Sequence, residues 1–328
     1  MMSPERSLTA AMLILGYAAI IGFTDNFVRQ IAAEAGLWQF HLTRTAMAMA
    51  LLALAAPLLG LSPRPKRPVA VAARSLIHGT AMVIYFGALA FLPVALVAAG
   101  LFTAPIFVLL IGRFVLGEPV GALRALAVAT GFLGVLLVLG PHALSGSGLS
   151  LAALLPVLAG GLYATGHIVT RRWCGGERPE TLLAGFFLAL GFFGAVGLCL
   201  LALWPMPVSD GAEGFVLRGW VRPSAGFLGW TFVQAAGSLV GVGLMIRAYQ
   251  LADAGRVSVM EYVILPASAF WTWAIWGETL GWTAWAGMAL IACAGTMIAL
   301  GGRAAPGRPG DAESQAGSAV RSPTASRQ

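Results

Sequence analysis

The sequence predicts an all-α integral membrane protein in which ten transmembrane helices form two inverted five-helix repeats. Three observations lead to this prediction: the composition, the number of apolar segments and an internal repeat. The chain has 328 residues, of which 59% are hydrophobic and only 10% are charged. Because a soluble domain carries about 25% charged residues, this composition excludes a soluble globular fold.

The apolar residues fall into segments of the length that a membrane helix needs, which is about 20 residues. The first segment follows Arg6 and resembles a signal peptide in position, but no small-residue cleavage pattern stands out, so it is predicted to be a retained helix. The ten predicted spans are residues 8–26, 37–60, 74–92, 94–113, 120–140, 150–170, 180–203, 226–249, 255–276 and 280–301.

A stretch of the first half recurs in the second half. Residues 92–140 and 251–301 each contain an apolar span, a Gly-Glu turn and a second apolar span that ends in glycine. Five spans per half is an odd number, so the second half must enter the membrane in the opposite orientation, which is typical of secondary transporters. The corresponding positions, 160 or 161 residues apart, are Pro105 and Pro266, Gly117-Glu118 and Gly277-Glu278, and Gly140 and Gly301.

The basic residues predict the orientation of the chain. With the N-terminus inside, 16 of the 20 Lys and Arg residues lie on the cytoplasmic side, and only Arg29, Arg44, Arg218 and Arg222 lie on the outer side. This bias predicts a multi-pass protein of the cell inner membrane with both termini in the cytoplasm. It also accounts for the net charge of +7 without a nucleic-acid partner.

Composition also predicts the segments that connect or follow the two halves. Residues 141–149 are rich in Gly and Ser and form the predicted linker between halves. Residues 302–328 contain little that could be buried, so they are predicted to form a disordered cytoplasmic tail.

Signatures of enzymes and metal sites do not occur in the sequence. There is no phosphate-binding loop, no HExxH and no CxxC pair. The three cysteines, Cys174, Cys199 and Cys293, have no metal-ligand spacing and imply no disulfide framework. We therefore expect no enzymatic activity, no cofactor and no metal; the oligomeric state, a homodimer included, stays open.

Two charged residues within spans are candidate solute or ion sites, because an ionised group in hydrocarbon costs at least about 2.5 kcal/mol. Glu261 could bind a proton, a cation or a substrate amine, or it could pair with Arg256. Arg44 could bind a substrate carboxylate, or it could pair with Asp25.

Further polar and aromatic residues within spans are candidates for the cavity wall. His78 and Tyr85 share a helical face with Arg74, which is expected to be an inner-interface anchor. Each candidate also has a structural reading, as a satisfied core residue, a helix–helix contact or part of an aromatic belt. The remaining candidates are Tyr163, His167, Gln234 and Trp271.

Two prolines, Pro105 and Pro266, lie within spans at corresponding positions of the two halves, where each is predicted to kink its helix. Interrupted spans at corresponding positions indicate where the binding site of such a protein lies. Glu118 and Glu278 are instead interpreted as structural carboxylates at the positive ends of the following helices.

The segment "LPVALVAAGLFTAPIFVLLIGRFVLGE" of residues 92–118, followed by a Gly-rich span and repeated near the C-terminus, resembles the EamA-type carriers of the drug/metabolite transporter superfamily. The resemblance covers two EamA-like halves, residues 8–140 and 150–301. It implies a carrier that moves a small organic solute through the lipid bilayer by alternating access.

The expected solute is an amino acid or an amino-acid-like or cationic compound, moved with or without coupled protons. S-adenosylmethionine or a vitamin such as riboflavin is the alternative, since fold similarity does not select the solute. A non-transporting membrane sensor or scaffold is the alternative of another class. Export and uptake are not distinguished.

Overall fold

The computed structural model describes residues 4–88, 92, 94–139, 154–208, 214–277 and 281–301. This part of the chain is helical and contains no β-strand. Helices lie within each of the ten predicted apolar segments. The linker, the tail and Glu278 lie outside the described residues.

Among its described residues, the predicted first half contains seven α-helices, and a π-helical turn at Ile111–Val115 extends α6. They are α1 Pro4–Asp25, α2 Val28–Glu34, α3 Leu37–Leu59, α4 Pro68–Ala88, α5 Val94–Leu101, α6 Ala104–Leu110 and α7 Ala122–Leu139.

In the described part of the second half there are six α-helices, and a 3-10 turn at Glu261–Val263 joins α11 to α12. They are α8 Leu154–Arg172, α9 Pro179–Leu203, α10 Ala225–Leu251, α11 Ala254–Met260, α12 Ile264–Trp276 and α13 Trp282–Gly301.

Within the ranges that the structure describes, six helical segments are long and apolar enough to cross a membrane, and the helices Ala122–Val138 and Trp282–Ile298 are apolar but shorter. The surface supports a membrane setting. Along α9, the exposed side chains of Leu188, Phe192, Val196 and Leu200 follow each other at intervals of four residues and form one apolar stripe. Water does not favour such a stripe, whereas lipid does.

The two halves interlock. The most extensive helix contacts each join a helix before residue 140 to a helix after residue 150: α7 packs on α13, α1 on α10, α3 on α9, and α4 on both α8 and α9. A cavity surrounded by these helices is therefore built from both halves.

Proline and glycine mark the same places in both halves. Pro105 lies in the first turn of α6, after α5 has ended at Leu101, and Pro266 lies in the first turn of α12, after the 3-10 turn. Both prolines thus follow directly after an interruption of the regular α-helix. Gly117 and Gly277 both adopt the left-handed backbone conformation, with φ of 66° and 68°, which favours glycine.

The structure corrects two expectations. Arg74 is not an inner-interface anchor but is fully buried, with 0% exposure, because α4 begins at Pro68 and places it two turns inside the helix. Its guanidinium donates to the Thr170 hydroxyl at 2.9 Å and to the Leu182 carbonyl at 3.2 Å, which joins α4 to α8 and α9. Glu118 does not lie at the first turn of α7, as expected, but in the loop before it. Its carboxylate instead forms an ion pair with Arg172 at 2.7 Å, so its contact is structural but not with the helix end.

The contact between α7 and α13 depends on two facing glycines. A Cβ atom at Gly287 would lie 2.5 Å from the Gly134 carbonyl oxygen, whereas a Cβ at Gly295, on the same helix, would meet nothing within 4 Å. We expect Gly287→Ala to destabilise the protein by about 1–3 kcal/mol because the two backbones must separate. Gly295→Ala should change stability by less than about 1 kcal/mol or raise it. Thermal unfolding in detergent measures both, and equal melting temperatures would contradict the prediction.

Candidate functional site

A cavity of about 690 Å³ lies between the two halves. Every one of the predicted spans 1, 3, 4, 6, 8 and 9 contributes to its wall, and α3 and α9 contribute Arg44 and Phe186. Eight of its lining residues are aromatic, and most of the others are aliphatic. Its rings include Tyr17, Tyr85, Phe102, Tyr163, Phe186 and Trp276.

Glu261 brings a carboxylate to this wall and lies at the junction of α11 and α12. The Tyr249 hydroxyl donates to it at 3.0 Å, and the Tyr163 hydroxyl contacts its other oxygen at 3.4 Å. His167 Nε2 is 3.8 Å away, which is too far for a hydrogen bond. Its contacts therefore connect Glu261 with α8 and α10, and Arg256 is not among the partners found in the described residues.

Aromatic rings continue from Glu261 into the wall. The His167 ring stacks on Tyr249 with centroids 3.7 Å apart, and it meets Tyr163 edge-on at 4.1 Å. His78 lies next to both, 4.7 Å from the His167 centroid and 4.9 Å from that of Tyr163. His78 faces the cavity, whereas His167 lies behind Tyr163 and does not line it.

A second polar group reaches from Arg44 to Asp25. Arg44 donates to the Ser238 hydroxyl, which donates to Gln234 at 3.2 Å, and the Gln234 amide donates to Asp25 at 3.0 Å. Within the described part of the chain, Arg44 and Asp25 form no direct ion pair, so two side chains of α10 connect them. The Arg44 guanidinium also lies over the rings of Phe40 and Phe187, 5.5 and 5.6 Å from their centroids.

Six of the ten sequence-predicted residues therefore meet at one cavity: Arg44, His78, Tyr85, Pro105, Tyr163 and Glu261. The other four lie outside its lining. Gln234 bonds α1, and the Trp271 indole donates to the Ala19 carbonyl at 2.9 Å. His167 is packed between rings, and Pro266 lies in the first turn of α12.

Sequence reasoning missed Tyr17, Tyr249 and Ser258. The two tyrosines could have been found from the sequence. The chain has only five tyrosines, and because tyrosine in membrane proteins is enriched at the interfaces, a tyrosine within a span is unusual. Here all five lie at or beside the cavity: three line it, Tyr249 bonds Glu261, and the Tyr262 hydroxyl bonds the carbonyl of the lining residue Phe102 at 3.2 Å. Ser258 carried no signal, because serine is common at helix contacts.

Ion pairs gather on the predicted cytoplasmic side, around a smaller pocket of about 250 Å³. Asp253 pairs with Arg124 at the start of α7 and with Arg171 at the end of α8, both at 3.3 Å. It also caps α11 by accepting from the Gly255 amide at 3.0 Å. One carboxylate thus joins the two halves two turns before Glu261.

The hydrogen bond of Tyr249 to Glu261 can be tested by a double-mutant cycle. We expect Tyr249→Phe to lower the free energy of unfolding by about 1–3 kcal/mol, since a buried acceptor loses its closest donor. The loss in the free energy of unfolding caused by Tyr249→Phe should be smaller when Glu261 is already Gln, because an amide oxygen accepts a weaker hydrogen bond than a carboxylate. Tyr262→Phe, which removes a bond to a backbone carbonyl, is the matched control and should show no coupling to Glu261. Additive effects of Tyr249→Phe and Glu261→Gln would contradict the prediction.

Comparison with known proteins finds a similarity to one family of transporters. The model of the EamA-like transporter family matches residues 8–140. A riboflavin transporter of Rhizobium johnstonii is 31% identical over 64% of this chain, and the match spans 63% of that protein's own length. A pseudopaline exporter of Pseudomonas aeruginosa is 27% identical over 62% of this chain and 66% of its own length. The family and these relatives are transporters, not enzymes.

A solved crystal structure resembles most of this fold. It matches with a TM-score of 0.69 at 19% identity, over 90% of this chain and 97% of that chain. At this identity the match concerns the fold alone.

Proposed function

We propose that this chain, which is an EamA-type carrier of the drug/metabolite transporter superfamily, moves a small organic metabolite across the inner membrane by alternating access. One observation carries the proposal: a cavity between the halves has Arg44, His78 and Glu261 in its wall. Ionisable side chains are costly inside a membrane and mark solute or ion paths.

We propose further that ten spans cross the membrane as two inverted repeats. The helix contacts support this, because a contact between two helices recurs between their counterparts in the other half. The counterparts of α1, α3, α4 and α7 are α8, α9, α10 and α13. The packing of α1 on α10 corresponds to that of α8 on α4, and the packing of α4 on α9 corresponds to that of α10 on α3. The pairs α3 with α9 and α7 with α13 correspond to themselves.

The cytoplasmic ion pairs support alternating access. Arg124, Arg171 and Asp253 are each about a quarter to a third exposed, and a partly exposed pair contributes only about 0–1 kcal/mol. Such pairs can hold the two halves together at one end and still separate in every cycle. Alternating access requires closures of this kind.

The proposed solute range follows the relatives and the sequence. The two relatives are named for riboflavin and pseudopaline, and the sequence favours amino-acid-like or cationic solutes, with S-adenosylmethionine as an alternative. Uptake of radiolabelled members of these classes into proteoliposomes tests the function. Flux of one of them above that of empty liposomes is the expected result. Ligand binding without flux would favour a membrane sensor instead.

Coupling to protons is assigned to Glu261. We expect Glu261→Gln to abolish the response of flux to an imposed pH gradient, because the amide cannot release a proton. Glu180→Gln is the matched control, since Glu180 accepts from the Ser62 amide far from the cavity wall. Flux driven by a pH gradient is the measurement. A gradient response that survives in Glu261→Gln would remove the coupling role.

The proposed orientation can be tested by cysteine labelling. We expect Trp220→Cys, in the predicted outer loop, to react with an impermeant maleimide in intact cells, since Trp220 is 59% exposed. Lys66→Cys should react only after permeabilisation, because its loop belongs to the basic cytoplasmic side. Both variants are made after replacement of the three native cysteines. Labelling of Lys66→Cys in intact cells would reverse the proposed orientation.

A further inference from the structure

Three buried polar side chains in the cavity wall have no hydrogen-bond partner at stated atoms within the described residues. They are Arg44 at Nε, His78 at both ring nitrogens and Ser258 at its hydroxyl. Their exposures are 5%, 1% and 1%. A buried polar group that lacks a partner costs free energy, and each such group in a native protein requires an explanation.

The carboxylates of the same cavity differ, because both already receive hydrogen bonds. Glu261 is bonded by Tyr249 and contacted by Tyr163, and Asp25 accepts from Gln234. A solute amine is therefore not needed to satisfy them. The unpartnered atoms offer three donors, which are the Arg44 Nε–H, one N–H of a neutral His78 ring and the Ser258 hydroxyl. They also offer two acceptors, the second His78 nitrogen and the Ser258 oxygen, so a solute that mainly accepts but also donates satisfies them.

Aromatic side chains contribute to the lining of the same cavity. The His78 ring is 4.9 Å from the Tyr163 centroid and 5.9 Å from that of Phe186. Tyr17, Tyr85, Phe102 and Trp276 extend the same wall. Aromatic rings favour stacked or edge-on contact with another planar ring. A flexible aliphatic solute would leave most of this preference unused.

We propose that the transported solute is a planar, uncharged or anionic heteroaromatic compound. Its carbonyl oxygen or ring nitrogen atoms accept hydrogen bonds from Arg44, His78 and Ser258, and its ring packs on the aromatic wall. This inference rests on the proposed transport function and names the substrate class of the same cavity. It departs from the amino-acid-like and cationic class that the sequence favours.

The fold supplies matched controls for two of these contacts. His41 also has both ring nitrogens unpartnered and is 0% exposed, and Ser75 also has an unpartnered hydroxyl and is 2% exposed. Neither of them lines the cavity. His41 and His78, and Ser75 and Ser258, thus differ mainly in whether they face the solute space.

The experiment measures binding to the full-length protein in detergent. The aromatic probes are riboflavin and lumichrome, which is the bare tricyclic ring, and the cationic probe is spermidine. We expect both aromatic probes to bind more tightly than spermidine. His78→Phe and Ser258→Ala should each raise the Kd of lumichrome about tenfold, as expected for one lost hydrogen bond in a buried site. His41→Phe and Ser75→Ala should leave the Kd within about twofold.

Each outcome decides the inference. Tighter binding of spermidine, or equal losses in the cavity variants and their controls, overturns it. Melting temperatures are measured for all four variants to check that they fold. If His78→Phe does not fold, Ser258→Ala, which is the smallest change, tests the inference with Ser75→Ala as its control. If an amino-acid-like or cationic solute is transported and neither aromatic probe binds, the substrate class fails while the transport function stands. If no solute of the panel is transported or bound, both fail.

Discussion

A carboxylate within the helix bundle needs internal partners, and much of the arrangement around the cavity satisfies this need for Glu261. Tyr249 on α10 and Tyr163 on α8 reach Glu261 at the junction of α11 and α12. The stack of His167 on Tyr249 then fixes the phenol in place. These contacts join three helical segments of the second half around the cavity wall.

The broken helices follow from the same constraint. Where the span of α5 and α6 is interrupted, the Thr103 hydroxyl donates to the Gly100 carbonyl at 2.6 Å, and the Tyr262 hydroxyl donates to the Phe102 carbonyl. Irregular backbone at membrane depth is tolerated where protein groups or a cavity satisfy it. Phe102 and Pro105, at the break, both line the cavity, so the interruption and the solute space occupy the same place.

The polar groups of the interior fall into two kinds. Those with hydrogen-bond partners on other helices, such as Arg74 and Gln234, join helices and belong to the architecture. Arg74 connects three helices while remaining fully buried. The buried polar groups that have no partner among the described residues are again of two kinds. His78 and Ser258 face the cavity, whereas His41 and Ser75 do not. Lack of a partner alone therefore does not mark a solute contact, and position relative to the cavity is needed as well.

The sequence by itself determined the membrane class, the helical segments and the corresponding features of the halves. These depend on local composition, on segment length and on residues such as Gly117 and Gly277, whose left-handed turns recur in both halves. It also indicated several of the ionisable and tyrosine residues in the cavity wall, because such residues are rare within spans. It did not determine which face each residue occupies. In a soluble helix an apolar stripe marks the core, but a membrane helix is apolar towards both lipid and protein. For this reason only the tertiary structure placed His78 in the cavity wall and Gln234 against Asp25, and only it revealed Ser258.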